Sequence, residues 1–309
     1  MKKTILHTKG ILVAIVTVIG YLFSQSVIAQ QIPQFTQYMF NSYLSNPAIA
    51  GTYNYYQIRA NYRYQWVGLD DAPQTQSVSL FGPLSKKDMG WGAYMYMDNT
   101  GPTSRMGMMG SYAYNMNLND EYRISGGLSL GFLQYKVDGS KLTAGEGYDE
   151  GDPAIFESIK STFTPDASVG FYLYSSLLQV GISAHQLFGQ KLKLYNDPIG
   201  TNRLRQHILM SGSYLFQLNR DYEFEPGLLL KYMFRSPFQF ELNGKLTYRK
   251  QIWGGLSYRL NDAFSILIGY NYKKKYVIGY SYDYSYTGIR KYQSGTHEFM
   301  LGVLFDKIK

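Results

Sequence analysis

The chain has no cysteine among its 309 residues. That absence excludes disulfides, thiolate metal ligands, cysteine nucleophiles and a lipidated N-terminal cysteine. Charge is scarce as well, with Asp, Glu, Lys and Arg at 17%, against roughly 25% in an average soluble domain. Histidine occurs only four times, which leaves little material for metal binding or acid–base chemistry. The mean hydropathy of −0.25 excludes a bundle of membrane-spanning helices. What the chain has in excess is tyrosine, 31 residues within a 17% aromatic fraction. A β-barrel in lipid reconciles high aromatic content with low mean hydropathy. Each strand places apolar and aromatic residues on its outer face and small polar ones on its inner face, so the average cancels.

The N-terminus reads as an export signal over residues 1–29. Lys2 and Lys3 provide a positive start, Ile11 to Phe23 an apolar stretch, and Val27-Ile28-Ala29 a small residue at the cleavage point. An uncleaved anchor is the alternative, but the apolar stretch is short for a spanning helix. Loss of Lys2, Lys3 and Lys9 with the leader lowers the net charge of +8 by three, to +5. The only basic run left is Lys273-Lys274-Lys275, too little for a nucleic-acid face. Residues 30–54 lie outside the strand pattern that follows. They are expected to plug the lumen, or failing that to lie in the periplasm, and 55–309 to form the barrel.

After Gly51 the pattern has period 2. Phe238, Phe240, Leu242, Leu246 and Tyr248 alternate with Gln239, Glu241, Asn243, Lys245, Thr247 and Arg249. Leu128, Leu130 and Phe132 alternate with Gly127, Ser129 and Gly131 in the same way. Fourteen such segments centre near residues 60, 79, 94, 110, 128, 169, 182, 211, 228, 243, 256, 268, 280 and 301. Each is about 8 to 13 residues long, enough for a tilted strand to cross a bilayer. The reading is an all-β, antiparallel transmembrane barrel of about 14 strands, its even count bringing both chain ends to the periplasmic side. The longest gaps, Val137 to Thr162, Gly189 to Leu204 and Ser285 to Thr296, follow strands five, seven and thirteen. The short links Ser175-Ser176 and Asn219-Arg220-Asp221 follow strands six and eight. Short periplasmic turns facing longer outer loops are the asymmetry expected of such a barrel. Phe299, Leu301, Val303 and Phe305 are expected on the closing strand.

Signs of catalysis or metal binding are weak. Gly127-Leu128-Ser129-Leu130-Gly131 matches the serine-hydrolase pattern G-x-S-x-G, but that motif needs a strand-to-helix turn and this one lies mid-strand. His185, His207 and His297 have no serine paired by local spacing. Four acids lie in Glu146-Gly147-Tyr148-Asp149-Glu150-Gly151-Asp152, yet they do not follow a calcium-loop spacing. They read as a solvated outer loop. No catalytic, cofactor-binding or metal residue is therefore assigned, and the chain is expected not to be an enzyme. The inner face is expected to carry Arg59, Arg63, Arg105, Arg123, Glu223, Glu225, Lys231, Glu241, Lys245, Arg249, Arg259, Asp283 and Glu298. Their mixed signs favour a cross-linked lumen over a conducting one. Tyr280, Tyr282, Tyr284 and Tyr286 share one face, as an interfacial girdle would.

One motif is more specific. Pro33-Gln34-Phe35-Thr36-Gln37-Tyr38-Met39-Phe40-Asn41, followed by Asn46-Pro47-Ala48-Ile49-Ala50-Gly51, resembles the opening signature of the PorP/SprF family. Gly279-Tyr280-Ser281-Tyr282-Asp283-Tyr284 and Ser294-Gly295-Thr296-His297-Glu298 agree at the far end. Ser42-Tyr43-Leu44-Ser45 departs from the pattern by being less apolar. The resemblance implies a non-enzymatic outer-membrane component of the type IX secretion and gliding machinery. It also implies partners: outer-membrane lipid, other components of that system, and a secreted surface protein such as a large adhesin. The outer loops at Glu146 to Asp152 and Gln190 to Asn202 are expected to hold that surface partner. The alternative is a small diffusion channel for polar solutes.

Overall fold

The computed structural model describes residues 32–84, 88–141, 159–192, 203–234 and 236–305. The expected leader and acidic loop, residues 1–29 and 146–152, lie outside these. From Tyr56 onward most of the described residues are strand: β1 (Tyr56–Tyr64), β2 (Gln74–Pro83), β3 (Met89–Thr100), β4 (Thr103–Asn117), β5 (Arg123–Asp138), β6 (Ile159–Tyr174), β7 (Leu178–His185), β8 (His207–Tyr214), β9 (Phe216–Gln217), β10 (Tyr222–Met233), β11 (Gln239–Tyr248), β12 (Ile252–Arg259), β13 (Ala263–Tyr272), β14 (Tyr276–Ser285) and β15 (Thr296–Phe305). β8 and β9 both pair with β10 and form one stave, interrupted at Leu215. The staves therefore number fourteen. Each is antiparallel to its neighbours, and β1 closes the barrel on β15 in the register Tyr56↔Phe305 to Tyr64↔His297.

The period-2 pattern sets the two faces. Leu242 and Leu246 are 46% and 43% exposed, whereas Glu241 between β11's outward residues is 3% exposed. A slip of one residue would exchange these faces. The same alternation holds along β13, where Phe264, Ile266 and Ile268 point out and Ser265 and Leu267 point in. The ring closes, so each stave has a neighbour on both sides and can satisfy its ladder groups without water, the requirement for crossing a bilayer; the outer stretch of β6 before Val169 ladders with β5 alone. The longer links follow β5, β7 and β14, all at one end, which is the outer end by the loop-length rule.

Two strand-level expectations change. β4, β5 and β6 have 15, 16 and 16 residues, longer than a bilayer needs. Their extra pairs, up to Asp138↔Ile159, raise the wall at the outer end and shorten the loop between β5 and β6. Arg249 is not on the inner face. It sits in the turn after β11 with φ 49°, 61% exposed, and pairs with Asp221 at 3.0 Å.

Candidate functional site: the lumen and its N-terminal segment

Residues 32–55 run inside the barrel from its outer end to the start of β1, through two 3-10 turns, Ser42–Leu44 and Pro47–Ile49. Their contacts follow the descent. Ile32 lies beside Trp66 and Ile289 of the outer loops. Thr36 meets Arg63 and Asp283, near the outer ends of β1 and β14. Ala48 and Ala50 meet Gly127 and Gly90, near the periplasmic ends of β5 and β3. The even stave count alone would have put both chain ends at the periplasmic side. The segment instead carries the N-terminal side of the chain back to the outer mouth.

The outer half of this contact is a buried ionic cluster. Arg63 pairs with Asp283 at 2.7 Å and with Glu298 at 3.2 Å; Arg259 pairs with Glu241 at 3.0 Å and with Asp262 at 2.9 Å. The segment supplies what side chains of opposite sign still lack. The Thr36 hydroxyl donates to Asp283 at 2.8 Å and accepts from Arg63 at 2.7 Å and Arg259 at 3.1 Å. One proton and two lone pairs are thus all used. Glu298 receives four donors: the Thr36 amide at 2.7 Å, the Gln37 amide at 3.2 Å, Arg63 at 3.2 Å and Asn61 at 3.3 Å. A buried carboxylate is tolerable only when satisfied in this way. The Gln34 carboxamide, with its oxygen turned to Arg259, accepts at 2.6 and 3.0 Å. The residues Gln34, Thr36 and Gln37 of the opening motif therefore each have an electrostatic task.

Halfway down, amides and hydroxyls take over. Asn41 donates to Asn61 at 2.9 Å and accepts from Ser79 at 3.0 Å. Tyr43 donates to Ser111 at 2.7 Å, and its ring stacks on Phe81. Phe40 stacks on Trp253 with centroids 4.0 Å apart, and Lys245 also lies over the Phe40 ring. In the Ser42-Tyr43-Leu44-Ser45 stretch, polar where an apolar one would be expected, the Tyr43 side chain and the Ser45 backbone carbonyl make the contacts with the wall. Ser45 presents its carbonyl to Ser183 at 2.6 Å and to His185 at 2.9 Å.

At the periplasmic half the contact is one of shape. Asn46 caps the second turn by accepting from the Ala48 amide at 2.9 Å and donates to the Phe171 carbonyl at 3.0 Å. A Cβ at Gly127 would stand 2.5 Å from the Ala48 nitrogen, and one at Gly170 would collide with Asn46 Oδ1. These inner-wall glycines let the segment's backbone lie against the sheet. Gly127 and Ser129 of the G-x-S-x-G stretch are part of this wall, with Ser129 hydrogen-bonded to Ser111 at 2.5 Å.

The three histidines are not brought together. His185 faces inward, while His297 lies on the outer face, bonded to the Tyr280 hydroxyl at 2.7 Å. His207 contacts the Arg205 carbonyl at 2.8 Å. Ser183 and His185 are 3.1 Å apart, a pairing that the strand period explains and local spacing in the sequence did not suggest. Both face the Ser45 carbonyl, so the Ser183 proton is committed there and His185 Nε2 carries its own proton. The pair holds the segment and does not form a base–nucleophile couple. Of the tyrosines on β14, Tyr284 is 40% exposed, and Tyr286 just beyond it is 37% exposed, as in a girdle at the outer interface. Among the described residues there is no group of three or more His, Asp or Glu side chains able to hold a metal.

A family described as type IX secretion system membrane protein PorP/SprF matches residues 27–303. No curated protein sequence matches the chain. Solved structures similar to it include the Ralstonia pickettii toluene transporter TbuX, at TM-score 0.54 and 9% identity, covering 87% of this chain and 93% of that one. The CymD monoaromatic hydrocarbon channel is similar at TM-score 0.51 and 11% identity, covering 90% and 94%. A Pseudomonas aeruginosa FadL homologue matches at TM-score 0.50 and 12% identity, covering 89% and 95%. At such identities the likeness is one of fold: an outer-membrane barrel.

Proposed function

The chain belongs to the PorP/SprF family of type IX secretion system membrane proteins, and from that membership we propose that it helps a secreted partner, such as a large adhesin, to reach or stay on the cell surface. It acts without catalysis, from the outer membrane, beside other components of the secretion system. Residues 1–29 are its export signal, 30–54 its lumenal segment and 55–309 its barrel. The observation that supports this reading over a diffusion channel is the occupied lumen. Thr36, Asn41, Tyr43 and Asn46 are each hydrogen-bonded to the inner wall. The cavity beside the segment measures about 70 Å³ and is lined by Phe35, Tyr38, Leu133 and Leu209 among others.

Two measurements test the proposal. In planar bilayers the intact protein should show no steady conductance, and in mild detergent it should copurify with an exported surface protein. A steady pore without such a partner would give the diffusion-channel reading instead. The outer loops remain the proposed docking surface. Deleting Glu146 to Asp152 should leave the barrel's heat-modifiable gel mobility intact and reduce surface proteolysis products of one secreted protein, because exposed loops tolerate shortening.

A further inference from the structure

At the outer mouth, between the end of the lumenal segment and the loops after β1, β10, β12 and β14, lies a pocket of about 460 Å³. That volume is within the usual range for small-ligand sites. Ile32, Trp66, Met233, Pro237 and Ile289 supply an apolar lining. At its inner end stands Lys231, which also borders the smaller lumenal cavity.

Two independent features single out this pocket. The first is charge. Arg63, Arg105, Lys245 and Arg259 on the inner wall each lie within 3.2 Å of a carboxylate, and Arg59, which has none, donates to the Gln57 carboxamide at 2.9 Å. Lys231 has no ion pair or hydrogen bond among the described residues, although it shares the pocket with Arg259 and Asp262. Asp262 and the nearby Glu241 are already engaged by Arg259. With no ion pair or hydrogen bond to the described residues, the Lys231 ammonium keeps its donors for an acceptor that enters the pocket.

The second is backbone strain. Trp66 has φ 54°, a left-handed conformation that is unfavourable for a bulky aromatic residue. It is held there by its amide on Thr296 Oγ1 at 3.0 Å, by Val67 on the Gly295 carbonyl at 2.9 Å and by Ser294 on the Val67 carbonyl at 2.7 Å. Two outer loops are thus tied together in a way that presents an indole to the pocket. Such strain concentrates at ligand sites.

We propose that the outer-mouth pocket binds an apolar or aromatic group bearing a carboxylate, with the carboxylate on Lys231 and the apolar body against Trp66 and Ile289. Two sources carry this chemistry, the free C-terminus of a polypeptide and a small amphipathic acid.

The test uses the full-length barrel in lipid nanodiscs, with tryptophan fluorescence and calorimetry as readouts. The probes are 3-phenylpropionate, its amide, and the peptide acetyl-Gly-Ser-Gly-Val-Phe with either a free or an amidated C-terminus. At least one free acid should bind saturably, and its amide about tenfold more weakly, as loss of one charged hydrogen bond requires. Lys231→Met should bring the acid down to its amide, and Lys231→Arg should restore the difference. Trp66→Ala should weaken acid and amide alike. Preference for the peptide acid assigns a polypeptide end, and preference for 3-phenylpropionate assigns a small acid. If neither acid saturates, if acid and amide bind equally, or if Lys231→Met changes nothing in a barrel with normal gel mobility, the proposal is overturned.

Discussion

The two ends of the lumen hold the same segment by opposite means. At the outer end, Thr36 and Gln37 sit among Arg63, Arg259, Asp283 and Glu298, and contact is a matter of satisfying buried charge. At the periplasmic end, Ala48 and Ala50 sit against Gly127 and Gly90, and contact is a matter of removing side chains so that backbones can meet. Each end is therefore vulnerable in its own way. The ionic end depends on having every partner present, because an orphaned buried charge costs more than its pairing returns. The packed end depends on volume, and its failure displaces the segment without leaving a charge behind.

The contrast is broken most strongly by Arg63→Ala. Asp283 and Glu298 would lose their shared cation, a loss of about 3–5 kcal/mol. Urea unfolding in lipid vesicles should show that drop, whereas a change within about 1 kcal/mol would mean that the cluster is hydrated rather than buried. Next comes Gly127→Val, which forces Ala48 away at a cost of about 1–3 kcal/mol. Here the expected sign is in conductance: the barrel keeps its heat-modifiable mobility while current flows past a displaced segment. A sealed bilayer with that variant would show that the wall yields instead of the segment.

Tyr43→Phe removes only the bond to Ser111 at the middle of the path. The remaining polar groups, Ser111 and Ser129, still bond each other. Unfolding should therefore shift by about 1 kcal/mol, with no conductance. Arg249→Ala should be smallest, since its pair with Asp221 is exposed and such pairs contribute little. Its unfolding curve should overlie that of the parent. A marked shift would mean that the turn after β11 does more than connect.

Much of the barrel is legible in the order of residues. Each of the fourteen expected strand centres falls within a strand, and outward and inward residues separate as alternation says, because lipid on one side and a polar lumen on the other act on every second residue. Loop parity follows from the same count. Arg249 breaks the pattern because a strand's end cannot be told from its last turn by alternation when both are polar. The overlong β4 to β6 escape for a related reason: beyond the bilayer the outer face no longer needs apolar residues, so Ser161 gives no signal of a strand that already begins at Ile159.

Local physics is thus written along the chain: strand, face, register and the motif Gln34-Phe35-Thr36-Gln37 as something apart from the strands. Which groups meet across the lumen is settled only by the folded barrel. Thr36 reaches Asp283 and Glu298 more than two hundred residues away, Ser183 and His185 meet the Ser45 carbonyl, and Gly127 is a glycine because Ala48 lies on it. Alternation is a property of neighbours along a strand. Partners across a closed barrel depend on strand number, on stagger and on the path of the chain within it, and only the first of these is written in the spacing of residues along the sequence.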